Sequence, residues 1–285
     1  MIAVRLEGRL GNQLFQYAFV YAAAKKMKTS FYIDKSIENF MLPQYFEVKD
    51  NCLAILDDGM FSIKGYKNIF NIHAKRAFYH FINLIVFKRK AIAVANEIQP
   101  HEAVKALKNN RLYQGFFHSE SYFEDSKDKI RKLYKVRKKH VIAFEQVIKT
   151  LDISKKKAVI HVRRTDYVDL NFSLPVSYYK KTIETIDSPD IEYIFISDDP
   201  SFVENEFDYI PNKYVSTHNE IIDLQFLINA DVCVLSCSSF SWWGAWLNSN
   251  KNKQIYAPQY WLGFNGGKEF PAGVSDHIDI NWVQV

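Results

Sequence analysis

The sequence predicts an α/β protein built on parallel sheets, and three observations carry that prediction. From residue 158 to residue 257, short apolar runs alternate with stretches of helical spacing, the rhythm of strands whose crossover helices cover a parallel sheet. The run Ala158-Val159-Ile160-His161-Val162 ends abruptly in Arg163, Arg164, Thr165 and Asp166. A buried parallel strand ends this way when its last side chains enter the crevice where open α/β sheets bind ligands. At the N-terminal end, an apolar stretch at 2–6 passes through Gly8-Arg9-Leu10-Gly11-Asn12-Gln13 into a helical pattern, the arrangement of a phosphate-binding turn.

At 285 residues the chain suits one large or two small domains, and a hydrophobic fraction of 48% supplies a core for either. A net charge of +5 fits small anionic molecules or a membrane surface better than nucleic acid, which calls for denser basic clusters. Cys52, Cys233 and Cys237 form neither a disulfide framework nor a zinc spacing, so a reducing cytoplasm is expected. The opening residues lack the basic and long apolar regions of a signal peptide, and export is not expected.

In chain order, a first strand at 2–6 leads to a helix over 12–28, where Leu14, Phe15, Tyr17, Ala18, Tyr21 and Ala22 recur at core spacing. A second strand follows at 30–34. Residues 35–110 alternate poorly and read as an irregular region facing the substrate. Within it, Phe78–Phe87 is an apolar patch flanked by Lys75, Arg76, Lys88, Arg89 and Lys90. Too short to span a bilayer, it suits either a buried helix or one lying on an anionic membrane surface. A strand at 111–115 precedes a helix capped by Ser119 or Ser121, and the eight Lys or Arg residues of 127–139 mark a solvated helix face. The domain boundary is placed within 140–157, separating an N-terminal domain at 1–145 from a C-terminal one at 146–285. Beyond it come strands at 158–163, 191–197, 213–216, 231–236 and 253–257, with helices at 177–187, 200–206, 219–229 and 240–249.

The polar residues gather at strand ends. The planar fork of an arginine suits two phosphate oxygens at once, so Arg163 and Arg164 point to a diphosphate; an Arg-Asp ion pair bracing the strand is the structural alternative. Asp198 and Asp199 close the strand at 191–197, where one carboxylate is expected to accept the N–H donors of a guanine edge and the other to cap the next helix. Ser238 and Ser239 open a helix whose N–H groups can hold a phosphate, although simple capping explains one of them. Asp198-Asp199 lacks the spacing of a metal-binding carboxylate pair, and no metal is expected.

In combination, Gly8-Arg9-Leu10-Gly11-Asn12-Gln13-Leu14-Phe15-Gln16-Tyr17, His161-Val162-Arg163-Arg164-Thr165-Asp166-Tyr167, Ser197-Asp198-Asp199 and Ser238-Ser239-Phe240-Ser241-Trp242-Trp243-Gly244-Ala245 resemble the bacterial α-1,2-fucosyltransferases of glycosyltransferase family 11. The resemblance implies a GT-B architecture, two Rossmann-like domains facing across a cleft, with the acceptor mostly on the first and GDP-fucose on the second. It implies inversion at the anomeric carbon without a bound metal. Carried over by motif, His161 faces guanine, Arg163 holds the β-phosphate, Asp199 or else Asp198 lies near the base, Ser238 or Ser239 contacts phosphate, and Gly11 and Asn12 belong to a loop that closes over the phosphates. No cofactor beyond the donor sugar nucleotide is implied, and the acceptor would be a galactose-containing glycan of a surface polysaccharide. The glutamate that α-1,6 relatives carry after the HxRR motif is missing, which leaves Asp166 as the base candidate, with orientation of Arg163 or Arg164 as its other role.

Overall fold

The computed structural model describes all residues except 39, 49–68, 88–89, 153, 212 and 277, so Cys52, Lys88 and Arg89 lie outside the described residues. The chain divides into two compact units, Met1–Lys135 and Val136–Val285. The division falls ahead of the expected one because the helix Lys138–Ile148 belongs to the second unit. Its Phe144 ring meets Phe226 at 5.1 Å, and Gln225 Nε2 donates to the His140 carbonyl at 3.0 Å.

In the first unit, strands β1 (Ile2–Arg5), β2 (Phe31–Asp34), β3 (Ala91–Ala93) and β4 (Leu112–Gln114) form a parallel sheet in the order β2-β1-β4-β3. β1 is central, which explains why Ile2, Ala3 and Val4 are all apolar and fully buried. The helix Leu10–Lys26 is covered well beyond the single face that its spacing implied, and even Gln13 and Gln16 are 0% exposed. Buried amides need partners: Gln13 donates to the Gly8 carbonyl, and Gln16 spans Glu7 and Gly115. The region expected to be irregular contains regular structure, namely the helix Ile69–Phe87, β3 and the helix Pro100–Lys105. Tyr79 stacks on Tyr32 at 5.8 Å, and Asn83 donates to the buried Asp34, which also accepts from Arg5.

In the second unit, β5 (Lys156–Val162), β6 (Ile191–Ser197), β7 (Tyr214–Val215), β8 (Val232–Val234), β9 (Gln254–Pro258) and β10 (Asn281–Val283) make one parallel sheet, ordered β10-β9-β8-β5-β6-β7. The chain winds outward from β5 to β7, returns to β8 on the other side and winds outward again. This is the doubly wound Rossmann order, and its direction reverses between β5 and β8. β10 was not anticipated, since its three residues are largely exposed at the sheet edge and carry no apolar run. The helices Glu220–Ile228 and Ser239–Leu247 lie against each other at close range. Gly244 permits this, because a Cβ there would stand 2.4 Å from the Leu227 Cβ. Beside it Trp243 meets both Trp242 and Trp246 edge-on at 5.0 Å, and all three rings are buried. The α/β class with parallel sheets expected from the sequence is the class observed.

Candidate functional site

At the point where the winding reverses, β5 pairs with β6 on one side and with β8 on the other, His161 facing Ile196 and Ile160 facing Val234. One residue beyond β8, Leu235 is followed by Ser236, and the Ser236 hydroxyl lies 2.7 Å from His161 Nδ1. The ring is tilted against Phe240 at 5.5 Å, and Nε2 makes no hydrogen bond among the described residues. Burial drives the His161 pKa down to about 3, with Asp198 opposing and Arg163 assisting, so the imidazole is neutral at physiological pH. A neutral ring whose Nδ1 is fixed by a hydroxyl offers a directed Nε2 to a ligand.

Arg163 is gripped from two sides. Its Nη1 pairs with Asp198 Oδ2 at 2.8 Å, and its Nη2 pairs with Asp166 Oδ1. Asp198 is itself held in place, because Oδ1 accepts the Arg164 backbone N–H at 2.8 Å and Oδ2 accepts the Thr165 hydroxyl. The two carboxylates differ in accessibility: the Asp198 side chain is 17% exposed and that of Asp166 57%. The inner pair is therefore the anchor and the outer pair is open to exchange with a solvent-borne anion. Tyr167 lies under the Arg163 guanidinium at 5.3 Å and donates its hydroxyl to the Cys237 carbonyl, which ties the loop after β5 to the loop after β8.

The remaining residues singled out in the sequence fall in distinct places. Arg164 does not pair with a carboxylate among the described residues; its guanidinium lies on the Phe202 ring at 3.8 Å, with Nη1 at 3.4 Å from the Ser173 hydroxyl. β5 ends at Val162 and the backbone turns before the helix that starts at Thr165, which carries Arg164 away from the strand. Asp199 caps the helix Pro200–Glu206, accepting the Phe202 N–H at 3.1 Å, so its carboxylate is engaged locally. Ser238 caps the helix Ser239–Leu247 by accepting from Phe240 N at 3.3 Å, and Ser239 is the first residue of that helix. Both serines stand beside Ser236, at the carboxyl edge of β8.

A further acid was missed. Asp223, in the first turn of the helix Glu220–Ile228, accepts the Ser216 hydroxyl at 2.5 Å, and Ser216 follows β7 at the same sheet edge. Burial raises its pKa to about 7 against the lowering effect of Ser216. Its signal was in the sequence, as the lone acid within Ile221-Ile222-Asp223-Leu224-Gln225-Phe226-Leu227-Ile228.

In the first unit the matching sheet edge lies after β1 and β4. Gly8 takes φ +77°, where a side chain is disfavoured, and a Cβ there would stand 2.4 Å from Asn12 Nδ2. Gly11 and Asn12 lie in the first turn of the helix Leu10–Lys26, Gly11 buried and Asn12 partly exposed. Asn12 Oδ1 is 3.0 Å from Nε2 of His118, in the loop after β4.

The doubly wound sheet carries an anchored arginine, a neutral histidine and a helix N-terminus at its reversal point, the place where such sheets bind ligands, and the fold is GT-B-like. The chain belongs to glycosyltransferase family 11, whose model matches residues 1–283. It is 28% identical to the O-antigen biosynthesis glycosyltransferase WbnK of Escherichia coli over 91% of this chain and 94% of that protein. To an α-1,2-colitosyltransferase of Escherichia coli it is 26% identical, over 92% of each. Among solved structures it is similar in fold to the fucosyltransferase NodZ from Bradyrhizobium, with a TM-score of 0.54, 12% identity, and coverage of 85% of this chain and 91% of that one.

Proposed function

We propose that this protein transfers L-fucose from GDP-fucose to the 2-hydroxyl of a galactose-type acceptor in a surface glycan, with inversion and without a metal ion. The observation that carries the proposal is Arg163, anchored by Asp198 at the reversal point of the sheet beside the neutral His161. In the proposed mechanism the donor diphosphate exchanges with Asp166 for Nη2 of Arg163, while Asp198 keeps hold of Nη1. Ser238, Ser239 and the N–H groups of their helix take the remaining phosphate oxygens. The released Asp166 carboxylate accepts the proton of the acceptor hydroxyl as its oxygen bonds to C1 of fucose, and the bond from C1 to the β-phosphate oxygen breaks. Negative charge then grows on departing GDP, where the guanidinium and N–H donors stabilise it. For the base, His161 Nε2 contacts guanine. The carboxylate that takes the guanine N–H edge is Asp223, whose second oxygen is left over after it accepts the Ser216 hydroxyl, while Asp199 serves as a helix cap.

A second donor, another GDP-linked 6-deoxy sugar, is favoured by the likeness to the α-1,2-colitosyltransferase. The test is mass spectrometry of products after incubation with GDP-fucose or GDP-colitose and a panel of galactosides, with and without excess EDTA. Fucosyl transfer to the 2-position that persists in EDTA is expected. Transfer from GDP-colitose alone would select the second donor, and complete loss in EDTA restored by magnesium or manganese would sink metal independence.

We also propose that the protein rests on the inner face of an anionic membrane through the helix Ile69–Phe87. Among the described residues no helix is long and apolar enough to cross a membrane. This helix packs Tyr79, Ile82 and Val86 on the sheet, yet leaves Phe81 and Ile85 each 58% exposed and Leu84 40% exposed. From residue 59 to residue 96 the sequence carries seven Lys or Arg and no Asp or Glu. An apolar face in such a basic stretch suits an anionic lipid surface. Co-sedimentation with phosphatidylglycerol vesicles but not phosphatidylcholine vesicles is expected, and Phe81→Glu with Ile85→Glu should abolish it. Equal sedimentation of this double variant and wild type would remove the helix from the contact.

A further inference from the structure

Where β8 gives way to the helix Ser239–Leu247, the chain presents four consecutive backbone carbonyls, and a side-chain hydroxyl meets each of them. Tyr178 donates to the Leu235 carbonyl at 2.8 Å, and Tyr167 donates to the Cys237 carbonyl at 3.3 Å. The Ser241 hydroxyl lies 3.3 Å from the Ser236 carbonyl and 3.0 Å from that of Ser238. Tyr178 and Ser241 are buried in the core of this unit. Tyr167 differs from them, because it belongs to the short helix Thr165–Asp169 and its ring also lies 5.3 Å from the Arg163 guanidinium. Burial raises its pKa to about 12, so the hydroxyl keeps its proton and remains a donor throughout the physiological range.

The Cys237-Ser238 peptide is trans, and a planar trans peptide turns its C=O and N–H to opposite sides. Fixing the Cys237 carbonyl therefore fixes the N–H of Ser238, which points away from Tyr167 and finds no partner among the described residues. The guanidinium is confined as well. Asp198 and Asp166 hold its edge, and the Tyr167 ring covers one face.

We infer that Tyr167 is a positioning residue that sets two anion donors at once, the Arg163 guanidinium through its ring and the Ser238 N–H through its hydroxyl, so that both stand ready for the diphosphate of a sugar nucleotide. The inference rests on the transferase reading above for the identity of that anion, and on contacts within the second unit alone for the device. Donors already in place need no reorganisation when charge develops on the leaving group.

The test combines kinetics with nuclear magnetic resonance on the full chain. Tyr167→Phe keeps the ring against Arg163 and removes the hydroxyl. It is expected to lower kcat about tenfold, less than outright removal of an anion donor, with a smaller rise in donor KM and a melting temperature within a few degrees of wild type. Tyr167→Leu removes the ring as well and is expected to lose about tenfold more. With Arg163 already replaced by alanine, Tyr167→Leu is expected to be no slower than Tyr167→Phe, because the ring acts through the guanidinium. Cys237-Ser238 is the only Cys-Ser pair in the chain, so carbonyl-13C cysteine combined with 15N serine yields a single cross-peak for the Ser238 N–H. That peak is expected to move in Tyr167→Phe, and its shift on addition of GDP is expected to fall to less than half of the wild-type shift. A Tyr167→Phe protein within twofold of wild-type kcat, an equal GDP-induced shift in the two proteins, or a Leu variant slower than the Phe variant in the Arg163→Ala background would overturn the inference. Absence of turnover by the wild type with every GDP-sugar tried would overturn the transferase reading instead, and the response of the cross-peak to GDP would then decide the device separately.

Discussion

Replacing Arg163 with alanine is expected to lower kcat by about 10²- to 10³-fold, the loss typical when one donor is removed from a pre-organised anion site. The charge that Arg163 faces grows as the bond from fucose to the β-phosphate breaks. Its removal therefore falls on kcat more than on the donor KM. The structure adds a consequence for stability. Asp198 loses its guanidinium partner in this variant but keeps the Arg164 N–H and the Thr165 hydroxyl, so it is not stranded. A cost of about 1–2 kcal/mol follows, a few degrees of melting temperature, and the protein remains folded. Arg163→Lys is expected to rescue only in part, since one ammonium cannot bind Asp198 and a phosphate with the spread of a fork. Steady-state kinetics and a melting curve for each variant check this. A folded Arg163→Ala protein retaining more than about a tenth of wild-type kcat, a loss under about 1.4 kcal/mol, would show that other groups hold the diphosphate.

Asp223→Asn is expected to make the protein more stable and worse at recognising its donor. Burial holds the Asp223 carboxyl well above the ordinary carboxylate range, at a pKa of about 7 in the folded protein. A raised carboxyl pKa means that the folded state binds the proton more tightly than the unfolded one. The stability linked to that proton is full below about pH 4 and is lost as pH rises through 7. Asparagine carries no charge to bury and still accepts the Ser216 hydroxyl. The variant should therefore melt several degrees above wild type at pH 8, with the gap closing towards pH 4. In the wild type, guanine N–H donors favour the ionised carboxylate, so GDP should bind more tightly as pH rises through 7. Asparagine presents one acceptor where the carboxylate has two, and it should bind GDP at least tenfold more weakly at pH 8. Calorimetric titration with GDP and ADP at both pH values, beside melting curves, reads all of this. Unchanged preference for GDP over ADP in Asp223→Asn would take Asp223 out of the base pocket.

Several parts of the site were legible because local sequence dictates them. His161 is the penultimate residue of β5 and Arg163 the first residue after it, and the apolar run Ala158–Ile160 ahead of them places these polar side chains at the carboxyl end of a buried central strand. The capping serine at 238 needs only the helix that begins after it. One of the two aspartates was expected to cap the next helix, and the structure shows that it is Asp199. Asp199 accepts from Phe202 N within its own turn, whereas Asp198, at the end of β6, pairs with Arg163 at the end of the neighbouring β5.

What the sequence by itself determined is the class: parallel α/β units, the strand ends that carry polar groups, and the family motifs placed upon them. Period and propensity act over a few residues, and each of these features is set within such a span. The tertiary structure alone decided which groups meet. Asp223 is a helix residue like its neighbours until burial beside Ser216 raises its pKa. Arg164, for which a bracing ion pair was the alternative to a phosphate contact, lies on Phe202, because the chain turns immediately after β5. His118 and Asn12 are 106 positions apart and touch only because β1 and β4 are neighbours in the sheet. Hydrogen bonds and desolvation depend on distances between segments that the chain brings together only on folding.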